Sequence, residues 1–248
     1  MRIKIFVLLC LTAIMQFTGV TPLKASHYYY KQLSLKDGVT SAVRCILTDK
    51  QGFVWIGTKA GISRYDGHEL KKYVYSPNNP HSIPNNLIHQ IAEDEMSNIW
   101  ILTDKGIARY QRQSDDFFLP TDEKGNPIIA YSTCLTKDGV LFGSKDKVYF
   151  YSYRDSSLRL LQKLNKGNNF NISLLSLWNE HTVLCCSRWQ GLALLDLKTG
   201  KHRLPPFDCG KEIMNMLIDS QNRIWIAPYN EGIKCFTHNG ELVKAYTT

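Results

Sequence analysis

From residue 43 onward, short apolar runs alternate with polar turns, and no stretch sustains a helical period bounded by caps. The clearest stretch is Val43 to Tyr65, VRCILTDKQGFVWIGTKAGISRY. Its Val-x-x-Ile followed by Thr-Asp is a short strand that runs into a turn at Lys50-Gln51-Gly52. Phe53 to Gly57 reads as the next strand and carries a large aromatic residue, Trp55. Lys59-Ala60-Gly61 turns again, and Ile62 to Tyr65 is a third strand. Leu70 to Tyr75 is a fourth, whose Lys71-Lys72 suits the solvent-facing outer edge of a sheet.

The pattern then repeats. Ile88 to Tyr110, IHQIAEDEMSNIWILTDKGIARY, aligns with Val43 to Tyr65 without a gap. Asp49 meets Asp94, Trp55 meets Trp100, Gly61 meets Gly106, and Arg64-Tyr65 meets Arg109-Tyr110. Ile213 to Phe236 is a third close copy, with Asp219, Trp225 and Gly232 in the same slots. Two weaker copies lie between. Cys134 to Tyr149 contains KDGVLFGSKDKVY with a shortened turn, and Leu174 to Leu195 contains WNEHTVLCCSRWQGLALL with Gly191 in the glycine slot. The slots at Gly61, Gly106, Lys147 (without glycine), Gly191 and Gly232 recur about every 40 to 45 residues, the length of a four-stranded propeller blade. The expected fold is therefore all-β. It is a β-propeller of four-stranded antiparallel blades, about five of them, as a partial or open ring over residues 26–248. The blades are placed near 43–75, 88–120, 133–162, 172–204 and 213–246.

Trp55, Trp100 and Trp225 recur inside a strand, so they are expected to fill gaps between neighbouring blades, because a blade buries its faces only against its neighbours. Display as stacking platforms is the other reading of the same residues. Asp49, Asp94 and Asp219 are expected to cap turns rather than act as catalytic acids.

Composition changes this picture little. The chain is 44% hydrophobic and 21% charged, which excludes disorder by composition. Three of its 30 basic residues (Arg2, Lys4, Lys24) fall in the first 25 positions, which hold no acid, so the rest carries only a modest excess over its 22 acids. The basic residues are scattered, which argues against direct nucleic-acid binding. The first 25 residues read as a secretory signal: Arg2 and Lys4, then an uncharged apolar run from Ile5 to Val20, then small residues at Ala25 and Ser26. Cleavage is expected after Ala25 and an uncleaved anchor is the alternative, although the run is shorter than the roughly 20 residues that span a bilayer. The expected compartment is the periplasm, with membrane attachment only through segments downstream of this chain. Six cysteines follow the leader: Cys45, Cys134, Cys185, Cys186, Cys209 and Cys235. Export permits disulfides, and buried free thiols are the expectation. No pair has the spacing of a zinc site, and no metal or cofactor is expected.

The tandem motif D-x-x-G-x-[VI]-W-I-G-T-x-x-G-[IL]-x-R-Y-D, read at Asp49 to Asp66, resembles the two-component regulator propeller repeat. The lead-ins LSLKDGVTSAV (Leu33 to Val43) and Pro84 to Ile88 are similar to the openings of such blades. The resemblance implies an exported sensor region of a histidine kinase, often of a hybrid two-component receptor. There it sits ahead of a β-sandwich, a membrane span and a kinase core, and senses fragments of complex polysaccharides. The mechanism expected is a ligand-driven change in how propeller domains sit in a homodimer, which requires differential affinity between two states. Propellers of these receptors commonly have seven blades, so five copies ending at Thr248 point to a truncated or split receptor. The alternative is a five-bladed ring closed by a strand at Tyr28 to Leu33.

In a propeller, the turns after the second strand of each blade share one rim with the links between blades. The turns at Arg188-Trp189-Gln190 and Tyr229-Asn230-Glu231 are the candidate binding residues there, with Lys59 and Lys105 further along. Trp189 offers a flat apolar face, and Arg188 a bidentate donor suited to sugar rings with carboxylate or sulfate groups. Tyr229 and Asn230 add hydroxyl and amide contacts. The rival classes are an exported propeller enzyme, a glycosidase or lyase using paired carboxylates such as Asp104, Asp146 or Glu231, and a scaffold that binds another protein. The sequence has no G-x-S-x-G, H-E-x-x-H or Gly-rich phosphate loop, so no catalytic residue is assigned.

Overall fold

The computed structural model describes residues 32–33, 42–164, 170–210 and 212–246. The chain divides into two units, 1–33 and 34–248, and the fold that follows is that of the second. The expected leader (1–25) and the first four residues of the expected closing strand lie outside the described residues; Gln32 and Leu33 are not in a strand.

The described residues form twenty strands and no helix, arranged as five four-stranded antiparallel meanders. Sheet one holds β1 (Val43–Thr48), β2 (Val54–Thr58), β3 (Gly61–Tyr65) and β4 (Leu70–Tyr73). Sheet two holds β5 (Ile88–Glu93), β6 (Ile99–Thr103), β7 (Gly106–Gln111) and β8 (Asp116–Phe118). Sheet three holds β9 (Ser132–Thr136), β10 (Gly139–Ser144), β11 (Lys147–Ser152) and β12 (Leu158–Lys163). Sheet four holds β13 (Ile172–Asn179), β14 (Thr182–Ser187), β15 (Gly191–Asp196) and β16 (His202–Arg203). Sheet five holds β17 (Ile213–Ile218), β18 (Ile224–Pro228), β19 (Ile233–Phe236) and β20 (Leu242–Tyr246). The two degenerate copies thus build complete sheets. This is the β-propeller blade architecture, with the first strands of successive sheets lying against one another.

The turns explain the glycine slots. Gly61 sits at φ +114°, and a Cβ there would lie 2.5 Å from the Tyr73 carbonyl oxygen, so neither conformation nor space admits a side chain. In sheet three, which has no glycine at this slot, Lys145 takes the left-handed position at φ +49°.

The core lies in the seams between sheets. Four clusters join sheets one and two, two and three, three and four, and four and five. Trp55 and Trp100, both fully buried, occupy the first and second seams. Each meets a tyrosine of the next sheet edge-on at 4.8 Å, Tyr110 and Tyr151 respectively, with the same 65° between planes. The recurrent aspartate and tryptophan, six residues apart, are one bonded unit. Asp49 accepts from the Phe53 amide with Oδ1 (2.9 Å) and from the Trp55 indole with Oδ2 (3.0 Å). Asp94 does the same for the Asn98 amide and the Trp100 indole (both 2.8 Å). Asp219 does it for the Arg223 amide (2.9 Å) and the Trp225 indole (2.8 Å). One carboxylate thus fixes the turn and orients the indole, into a seam for Trp55 and Trp100 and onto the open face of sheet five for Trp225.

The fourth seam is filled differently. Leu184 replaces the indole, and Trp178 from β13 fills the space, stacked on Phe207 and 4.1 Å from the His238 ring. The first and fifth sheets share no core cluster among the described residues. Their outer faces are open: Ile46 is 65% exposed, where its equivalent Ile91 is 8% exposed, and Leu217 is 60% exposed.

Cysteine chemistry follows this packing. The six described thiols are free. Cys185 and Cys186 point to opposite faces of β14, into the third and fourth seams. Burial pushes the thiols of Cys45 and Cys134 up to about 11 and that of Cys186 up to about 12.

Candidate functional site

The second-to-third strand turns and the inter-sheet links meet at one end of the sheets, where backbone hydrogen bonds tie them together. The Gly61 amide donates to the Asn86 carbonyl (2.8 Å), Ile172 to Lys145 (2.8 Å), and Leu164 to Asp146 (2.7 Å). Loops at this rim are therefore held by the sheets rather than free to collapse on one another.

The structure brings four of the six candidate residues together and leaves two apart. Gly210, Glu212 and Ile213 of the link lie between the turns of sheets four and five. The Ile213 amide donates to the Arg188 carbonyl (3.0 Å), and the Tyr229 amide donates to the Glu212 carbonyl (2.8 Å). Gly191 packs so closely on this link that a Cβ would lie 3.2 Å from the Gly210 carbonyl oxygen. Arg188-Trp189 and Tyr229-Asn230 are thereby fixed on either side of one short segment. Trp189 is 60% exposed, with the Arg188 guanidinium 5.1 Å from its ring centroid, and Tyr229 is 53% exposed. Asn230 adopts φ +56°, a conformation its short amide side chain tolerates. Lys59 and Lys105 are exposed on the turns of sheets one and two, and no hydrogen bond or ion pair among the described residues joins them to the other four. The surface at sheets four and five thus presents an exposed indole, phenol, amide and guanidinium that no element among the described residues covers. It can stack on the apolar face of a flat ring and donate to hydroxyl or anionic groups.

The three rim acids are each engaged within their own sheet. Asp104 Oδ1 lies 2.5 Å from His89 Nε2, and that imidazole meets Tyr131 edge-on at 5.4 Å. Asp146 faces Lys163 (3.6 Å), and Glu231 accepts from Lys234 (2.5 Å). Among the described residues, no three His, Cys, Asp or Glu side chains are grouped to hold a metal ion.

The aspartate–indole bond went unread in the sequence, although the constant six-residue spacing in three copies was its signal. A second feature carried no such signal. The first seam is pinned by Asp115, which accepts from Tyr73 (2.6 Å), Tyr110 (2.5 Å), Arg64 (3.2 Å) and Lys71. Burial works against its charge, but the hydrogen bonds from Lys71, Tyr110 and Tyr73, with the Arg64 charge, prevail and hold its carboxyl at about 2. Arg112, 63 residues from Asp49 in sequence, crosses the same seam to reach it at 3.0 Å.

Residues 37–60 match the family model described as "Two component regulator propeller". A histidine kinase, P4 of Formosa agariphila, is 37% identical over 59 residues, which are 23% of this chain and 4% of the kinase. The extracellular domain of a putative hybrid two component system from B. thetaiotaomicron superposes with a TM-score of 0.68 at 19% identity, over 84% of this chain and 30% of that domain. A catalytically inactive virginiamycin B lyase from Staphylococcus aureus superposes with a TM-score of 0.63 at 13% identity, over 87% of this chain and 72% of the lyase. At these identities the two structural likenesses establish the shared propeller fold. The chain spans less than a third of the receptor domain and a small part of the kinase.

Proposed function

We propose that this chain is ligand-sensing propeller sequence of an extracytoplasmic two-component receptor, and that it binds polysaccharide-derived oligosaccharides at the rim of its fourth and fifth sheets. The observation that carries the proposal is the pairing of a two component regulator propeller repeat at residues 37–60 with an exposed Arg188–Trp189 stack held beside Tyr229 and Asn230. Trp189 is the stacking platform. Arg188 selects hydroxyl or anionic substituents, and Tyr229 and Asn230 fix their orientation. Lys59 and Lys105 extend positive charge along the rim toward longer anionic ligands. The sensing reading places the chain in the periplasm after removal of residues 1–25, as part of a homodimer, with no catalysis and no nucleic acid contacted by these residues. Signalling then requires that ligand bind two dimer arrangements with different affinity.

The test is a thermal-shift screen of the chain against a panel of neutral, uronic-acid and sulfated oligosaccharides, with Trp189→Ala in parallel. A ligand at 100 times its Kd stabilises the folded state by about 2.7 kcal/mol, which is a readily measured rise in melting temperature. The proposal predicts a rise for at least one glycan, abolished in Trp189→Ala. Absence of any rise, or equal rises in both proteins, overturns it. Depolymerisation of any glycan in the panel would replace it by the enzyme reading.

A further inference from the structure

The third seam differs from the first in a concerted way. Strand register places Leu141 opposite Phe150 as it places Trp55 opposite Arg64. It places Leu177 opposite Val183 as it places Glu93 opposite Ile99. Leu197 follows Leu195 by two residues as Arg112 follows Tyr110, and Leu195 and Tyr110 hold equivalent pairings. In the first seam these slots hold an indole, two guanidinium groups and a carboxylate: Arg64 lies over Trp55 within sheet one, Arg112 pairs with Glu93 within sheet two, and Arg112 crosses the seam to Asp49, the acceptor of the Trp55 indole. In the third they hold two kinds of side chain only: leucine at three slots and phenylalanine at the fourth.

Four coincident replacements of this kind leave the seam unsealed. A cleft of about 360 Å³ opens there, walled by Leu141, Phe150, Leu161, Leu177 and Leu197. All of these except Leu141 are only partly buried, although they belong to the third-seam core cluster. The volume lies within the range of small-molecule pockets, about 300–1,000 Å³. At its mouth Lys137 of the β9–β10 turn faces Glu180 of the β13–β14 turn at 3.6 Å, both largely exposed. The other three seams each put an indole into the corresponding gap: Trp55, Trp100 and, from the neighbouring strand, Trp178. The gap between two such sheets is thus of a shape that a bicyclic aromatic ring fills.

We infer that the third seam is a ligand site for a small molecule with a planar bicyclic aromatic body, bound where the other seams carry their own indole. The ring lies against Phe150 and the leucines, and a polar substituent points out to the Lys137–Glu180 pair. The walls are mostly apolar and the polar residues that also line the cleft, Thr136, Asp138 and Asn179, are partly or fully exposed, which favours such a body over a sugar, whose buried hydroxyl groups would go unpaired. The site is separate from the rim at sheets four and five, so the outcome of either test leaves the other open.

Indole is the probe, titrated into leucine-methyl-labelled protein and followed by NMR. The expected result is a saturable shift confined to Leu141, Leu161, Leu177 and Leu197. Leu141→Trp restores the repeat's own indole and is expected to weaken binding at least about tenfold. Should that variant not fold, Leu197→Arg places the first seam's residue over the cleft and is expected to weaken binding likewise. Absence of a saturable shift overturns the inference. So does an equal shift of the exposed Leu217 and Leu242 on sheet five, or undiminished binding in a folded Leu141→Trp or Leu197→Arg protein.

Discussion

Replacing Trp100 tests how much each seam depends on its indole. The side chain is fully buried, packs edge-on against Phe142 and Tyr151, and donates to Asp94, itself fully buried. Trp100→Phe keeps most of the ring but removes the donor. Asp94 Oδ2 retains the Asn98 side-chain amide at 2.9 Å, so the loss is about one charge-assisted hydrogen bond, roughly 1–3 kcal/mol. Trp100→Leu removes the same bond and also leaves a cavity. Truncating a buried aromatic to alanine costs about 3–5 kcal/mol and leucine refills part of that volume, so the total, lost bond included, is expected within about that range. The difference between the two variants separates filling from bonding. Urea unfolding followed by far-ultraviolet circular dichroism measures both. Repeat arrays can lose cooperativity, so equal m-values are required before free energies are compared. A Trp100→Leu protein within about 1 kcal/mol of the parent would refute the claim that indoles hold the sheets together.

Three further outcomes follow from the same structure. Against the penalty of burial, the Lys71, Tyr110 and Tyr73 hydrogen bonds and the Arg64 charge hold the folded Asp115 carboxyl down at about 2, below the ordinary aspartate value of about 3.9, so its stabilisation is complete above about pH 4 and lost as pH falls toward 2; its side chain is 30% exposed, which limits the effect to at most about 2 kcal/mol. Acid unfolding curves of the parent should therefore show this slope, and those of Asp115→Asn should be flatter between pH 4 and pH 2. Ile46→Asp, on an open face, should change stability by less than about 1 kcal/mol, whereas Ile91→Asp, at the equivalent covered position, should cost more than about 3 kcal/mol in the same urea assay. Thiol titration with a disulfide reagent at pH 8 should label the native protein slowly, because Cys134, Cys185, Cys186 and Cys235 are buried, and rapidly once it is unfolded; an intramolecular disulfide in the intact mass would contradict the free-thiol packing.

Much of the architecture was legible because propeller chemistry is local. Each strand pairs with the next across a turn of a few residues, so Val43 to Tyr65 contains the signals for its own strands and turns. The degenerate copies were harder to read but still folded alike, because Thr136 to Gly139 and Ser144 to Lys147 keep the turns even without the indole or the glycine. What escaped reading lies in the seams. Arg112 meets Asp49, and Asp115 meets Arg64, from a neighbouring sheet. Such partners lie one blade apart in sequence and leave no periodic trace. Trp178 took over a seam from the slot that holds Asp94 in the second copy, six residues before the vacated indole slot at Leu184. The cleft beside Leu141 was invisible for the same reason: it arises where four slots on two sheets turn apolar together. At the rim, Trp189 and Tyr229 stood out as large aromatics in turns. Their fixation on either side of Glu212 and Ile213 depends on backbone bonds that no side-chain pattern encodes.

The central physical claim is that carboxylate-bound indoles are wedged between successive sheets. Indole N–H exchange, read from the five tryptophan side-chain signals in a ¹⁵N-labelled protein transferred to D₂O, tests it most directly. Trp55 and Trp100, fully buried and bonded to Asp49 and Asp94, should exchange slowest. Trp225, bonded to Asp219 but on the open face of sheet five, should fall between, and Trp189 should exchange at once. Exchange of Trp55 and Trp100 as fast as that of Trp189 would contradict the account.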